Sequence, residues 1–92
     1  MRIGELFWDE SNESHIARHN VTRQEVEEVC FGRHWMLRSG RKRRAVFGQT
    51  EAGRYLIVIL EKLWDYGEYD VITSRDMTAA ERRRFQIWRG RR

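Results

Sequence analysis

Apolar positions along this chain come in short clusters, and the spacing within each cluster indicates the element it belongs to. Ile3, Leu6, Phe7 and Trp8 form a brief apolar opening that ends at Asp9, a pattern that suits an edge strand. Asp9 or Ser11 is placed to cap a helix over Glu10–His19. That helix has only Ile16 and Ala17 at its apolar centre, so it should lie half exposed. Asn20 suits a left-handed stop after it. Thr22 followed three positions later by Glu25 is a capping box; Val26, Val29 and Cys30 then repeat at helical spacing until Gly32 ends the element.

Beyond Gly32 the spacing shortens to that of strands, expected at Trp35–Arg38, Arg44–Thr50, Arg54–Leu63 and Tyr69–Ser74, with Gly40, Gly53 and Gly67 in the turns. Tyr55–Leu60 is an unbroken apolar run, rich in β-branched and aromatic residues, and suits a strand buried on both faces at the middle of a sheet. Thr78 and Glu81 form a second capping box, opening a last helix with Phe85 and Trp88 on one face and Arg82, Arg83, Arg84 and Arg89 around them; the tail after it should fray. The expected architecture is α+β, a single domain over residues 1–92. It comprises a small antiparallel sheet of about four strands, two N-terminal helices and one C-terminal helix.

Composition narrows the classes. A chain of 92 residues supports one core, and 40% hydrophobic content with four Trp is enough to fold it, so disorder is rejected. Eighteen Lys and Arg against fourteen Asp and Glu leave +4, which favours a polyanionic or acidic partner. One cysteine, Cys30, cannot form an intramolecular disulfide, and no apolar run is long enough for a signal peptide or a membrane span; a soluble, cytoplasmic protein is expected.

Arginines gather at four places: Arg18 with Arg23, Arg38 to Arg44, Arg54 with Arg75, and Arg82 to Arg84. Arg41, Lys42 and Arg43 lie in an expected loop, where such charges either face solvent or grip phosphates. Arg75 precedes a capped helix whose N-terminus favours an anion; the competing reading is an ion pair with Asp76 or Glu81. His15 and His19 lie four apart, as do Cys30 and His34. Both spacings admit zinc, but the first pair lacks the glutamate of H-E-x-x-H and Gly32 interrupts the second. A histidine beside arginines reads better as a proton carrier. Trp35, Trp64 and Trp88 are core residues or base-stacking ones, with core favoured. No Gly-rich phosphate loop, nucleophile elbow or C-x-x-C is present, which removes nucleotide hydrolase, serine hydrolase and redox readings.

From Phe7 to Arg84 the chain resembles the BrnT toxins of bacterial type II toxin–antitoxin pairs. The resemblance is carried by F-W-D-E at 7–10, H-I-A-R-H-N-V-T at 15–22 followed by E-V-E-E-V, F-G-Q-T-E-A-G-R-Y-L at 47–56, and V-I-T-S-R-D-M-T-A-A-E-R-R-R at 71–84. It implies a RelE-like ribonuclease fold that cuts RNA without metal or organic cofactor. It also implies a BrnA-like DNA-binding antitoxin as partner, with a homodimer or a heterotetramer with the antitoxin as the assembly. The family's motif positions fall on Arg18, His19 and Asn20, on Arg54, on Arg75, and on Glu81 to Arg84. Where many members carry a second arginine this chain has Asp76, and where many carry glycine it has Asn20.

The implied chemistry is attack of a ribose 2′-hydroxyl on the adjacent phosphate. Arg54 and Arg75 are expected to stabilise the transition state, since a guanidinium stays protonated and grips two phosphate oxygens. His19 is the expected acid or base, and Arg18, Arg44 and Arg83 are expected to position the RNA backbone. The competing function is a non-catalytic RNA- or protein-binding module of the same fold, favoured by Asp76; a zinc enzyme is a third. The catalytic reading requires Arg54 and Arg75 to face one groove.

Overall fold

The two capping boxes and three turn glycines punctuate the chain as their chemistry dictates, and Asp9 with Asn12 adds a third box. A computed structural model describes residues 3–64 and 66–91, in the order β1 (Glu5–Phe7), α1 (Glu10–Ala17), α2 (Arg23–Phe31), β2 (His34–Arg38), β3 (Arg43–Gln49), β4 (Tyr55–Lys62), β5 (Glu68–Asp76) and α3 (Ala79–Arg89). Asp9 caps α1 reciprocally with Asn12, Thr22 caps α2 with Glu25, and Thr78 caps α3 with Glu81. Gly40, Gly53 and Gly67 all take positive φ, which a side chain would strain, and Asn20 takes φ 57° as the stop after α1.

The structure is α+β, with five strands rather than four and a mixed rather than antiparallel sheet. The order is β1-β5-β4-β3-β2; β2 to β5 pair antiparallel, and β1 adds in parallel on the far side of β5. The chain leaves β1 through two helices and re-enters the sheet at β2, on the opposite edge and in the opposite direction to β1; three antiparallel pairings from there bring β5 back parallel to β1. β4 is central, as its apolar run requires: Leu56, Ile57, Val58 and Leu60 are buried.

Helices cover both faces. On one, α1 and α2 bring Ile16, Val26, Val29 and Cys30 onto Leu6, Val46, Leu56, Val58, Leu60, Tyr69 and Val71. On the other, α3 brings Phe85 onto Ala45, Phe47 and Ile57, with Trp35, Tyr55, Ile59 and Trp88 packed around them. Gly48 is a point of close approach to α2, where a Cβ would stand 2.8 Å from Val29 Cγ1.

One irregularity decides the placement of the site residues. Across β4 and β5, Ile59 pairs with Thr73 and Leu60 with Val71, leaving Ile72 as an extra residue. Tyr69 and Val71 face α1 and α2. Past the bulge the alternation is inverted: Ser74, opposite Val58, and Asp76, opposite Leu56, face that same side, while Arg75, opposite Ile57, faces α3.

Candidate functional site

Arg54 and Arg75 therefore stand on opposite faces of the sheet, and each is held by carboxylates. Arg54 donates from Nε to Asp76 Oδ1 at 2.9 Å and from Nη1 to Glu25 Oε1 at 3.1 Å. Its remaining N–H groups reach the backbone carbonyls of Asn20 and His19. Arg75 grips both oxygens of Glu81, at 2.8 and 3.0 Å. The two arginines do the same local job. Glu25 and Glu81 are the acidic halves of the α2 and α3 capping boxes, and each arginine fixes one of them. The anion seat at the α3 N-terminus is filled by Glu81, whose carboxyl is held down to about 2 first of all by the Arg75 hydrogen bond. The expected pairing of Arg54 and Arg75 on one phosphate is not met.

The other expected residues scatter. Helix α1 ends at Ala17, two residues short of the expected span, because Arg18, His19 and Asn20 form the turn that Arg54 clamps; His15 and His19 do not share a helix face. Arg18 and His19 are exposed there. Arg44 is the clearest correction. It is 1% exposed, so it cannot position RNA, and its Nη1 donates to Arg43 O while its Nε is buried without a partner. It also lies five residues from Gln49 at the Arg54 end of β3, roughly 17 Å at the rise of a strand. Arg83 is exposed on α3, two residues from the buried Phe85 and so on the outer side of the helix.

Cys30 is buried, and desolvation, with help from Glu27, pushes its thiol up to about 12; His34 has moved onto β2, its Nδ1 3.0 Å from Gly32 O. Among the described residues no three of His, Cys, Asp and Glu converge on a point.

A different constellation occupies the α3 face. Trp35 and Trp88 stack at 6.1 Å and 15°, and together with Arg84, Ile87 and Arg91 they line an open groove of about 270 Å³. Neither arginine meets a carboxylate among the described residues. Beside it, Arg82 lies over the Tyr55 ring at 4.1 Å, and the Tyr55 hydroxyl accepts from Gln86 Nε2 and Arg89 Nη2. Those two hydrogen bonds, Gln86 first, lower the Tyr55 pKa. Arg82 and Tyr55 also border a shallow groove of about 290 Å³ with Gly53, Arg54, Asp76 and Met77. Tyr55 reads as core in the sequence, because nothing in its apolar run distinguishes its hydroxyl; only the approach of α3 does.

The fold and its surface thus define a small helix–sheet–helix domain with a basic, aromatic outer face. No protein-family model matches the chain, and no curated protein is significantly similar to it. No helix among the described residues is long and apolar enough to cross a membrane.

Proposed function

We propose that this chain is an RNA-binding module of the RelE/BrnT-like kind, which holds RNA on its α3 face and does not cut it through Arg54 and Arg75. One contrast carries the reading. The two arginines expected at the reaction centre are turned apart and neutralised, whereas Arg84 and Arg91 edge a groove floored by two stacked tryptophans with no carboxylate in its lining. Guanidinium groups that meet no carboxylate among the described residues, beside the half-buried tryptophan pair, suit phosphates with a base lying against the indole edges. The toxin–antitoxin setting rests on the BrnT-like segments between Phe7 and Arg84; in that setting the partner is a BrnA-like antitoxin and the compartment is the cytoplasm.

A second reading, metal-independent endoribonuclease, is favoured by Tyr55. Its hydroxyl is made more acidic in an open groove beside Arg82; the phenolate takes the 2′-hydroxyl proton as the 2′-oxygen bonds to phosphorus, Arg82 offsets the charge there, and the 5′-oxygen leaves and is protonated by water.

Purified protein incubated with single-stranded RNA in EDTA separates the two. Binding without cleavage, weakened by Arg84→Ala with Arg91→Ala, supports the module. Cleavage abolished by Tyr55→Phe supports the nuclease. Cleavage abolished by Arg75→Ala in a variant that remains folded would return Arg75 to the reaction centre.

A further inference from the structure

At the end of the sheet away from Arg54, the β2–β3 turn and the segment after β4 come together. Lys62 N donates to Lys42 O at 2.7 Å, which holds the two strand ends side by side. Between them opens a pocket of about 440 Å³ lined by Arg41, Lys42, Glu61, Lys62, Leu63 and Trp64. Glu61 is already engaged by Arg43 at 3.1 Å, so it does not neutralise the pocket. Arg41, Lys42 and Lys62 meet no carboxylate among the described residues. Trp64 is 100% exposed, which contradicts the expectation that it belongs to the core, and Tyr66 beside it is also exposed.

An indole kept fully in water contributes nothing to folding, and three cations that meet no carboxylate among the described residues repel one another around it. Both costs fall when an aromatic, anionic ligand enters. We infer that this pocket is a second nucleic-acid contact, taking an unpaired nucleobase on the Trp64 ring and the flanking phosphates on Arg41, Lys42 and Lys62; it rests on the RNA reading above but not on the α3 groove. An anionic membrane would meet the same charges. It is disfavoured because the site is concave and, among its described lining residues, only Trp64 and the half-buried Leu63 are apolar, too little to insert. A duplex is disfavoured because its bases are already stacked. The substrate class is therefore single-stranded RNA. Trp35 and the turn lie on one hairpin, so one strand of RNA along edge strand β2 can touch both sites.

The test is fluorescence anisotropy with a short labelled single-stranded RNA, its duplex form, and vesicles of anionic phospholipid. Trp64→Ala should weaken single-strand binding about tenfold with little effect on the duplex, as loss of one stacked base does. Lys42→Ala with Lys62→Ala should lower the salt dependence of binding by about two phosphate contacts. Both sites are exposed, and an unchanged circular dichroism spectrum verifies the fold. If Trp64→Ala binds single strands like the parent while Arg84→Ala with Arg91→Ala does not, the pocket is rejected and the α3 groove stands. If the reverse holds, the pocket is upheld and the groove rejected. If the parent binds vesicles through Trp64 and no RNA, both are overturned.

Discussion

Arg44 shows how little a residue's type says about its role. Its sequence neighbours Arg41, Lys42 and Arg43 are exposed and cationic, but the strand begins at Arg43, and alternation turns Arg44 inward beside Val46 and Leu60. A guanidinium buried with one hydrogen bond to Arg43 O and an unsatisfied Nε carries an uncompensated desolvation cost. Arg44→Met keeps the length of the side chain and removes the charge. It should raise the unfolding free energy measured in urea by about 1 kcal/mol or more; a lower free energy would mean that the Arg44 charge is compensated in the folded protein. Cys30 is the opposite case, a residue type associated with reactivity made inert. With its thiol held near 12 by burial, it should resist alkylation at pH 8 until the protein unfolds.

Among the elements, the helix starts are the most self-explanatory parts of the molecule. Each capping box is a local event between a cap and the residue three positions on, so Thr22–Glu25 and Thr78–Glu81 could be read directly from their spacing. What spacing does not convey is that Arg54 and Arg75 reinforce these boxes from the sheet. The Arg75–Glu81 pair has a pH signature. Glu81 has a folded pKa of about 2 against an ordinary 4.5, so its contribution to stability is complete above the higher value and is lost as pH falls between them. Glu81→Gln keeps an oxygen for the Thr78 cap but no charge for Arg75. Its stability should therefore decline less than the parent's between about pH 4.5 and pH 2, as measured by urea unfolding at each pH; equal declines would dissociate Glu81 from the acid sensitivity.

At the scale of the whole molecule, Arg54 ties three parts together: the turn after α1, the start of α2 and the end of β5. With Arg54 removed, Glu25 and Asp76 lose their counter-charge and two backbone carbonyls lose a donor. Arg54→Ala should cost about 2 kcal/mol, and hydrogen exchange should quicken in the 18–25 segment. A variant that keeps parental protection there would return Arg54 to the pool of free cations. The same network accounts for Asp76, the position where the BrnT-like pattern often carries a second arginine. Here the acid is a structural counter-ion.

Local chemistry and period therefore determined much of this protein without any tertiary information: three capped helices, four strands with three glycine turns, and a central strand chosen by its apolar run. These are interactions between near neighbours, or burial tendencies averaged over an element. The first strand was legible as an edge strand, but not its partner or its parallel direction, because its pairing with β5 joins residues far apart in the chain. The candidate site was the least legible part. Strict alternation from Tyr69 and Val71 would put Arg75 on the face of Arg54, and a single extra residue at Ile72 reverses it. A bulge has no side-chain signature of its own. It is set by how two strands fit, and so only the folded sheet decides which arginines share a surface and which are spent on holding helices in place.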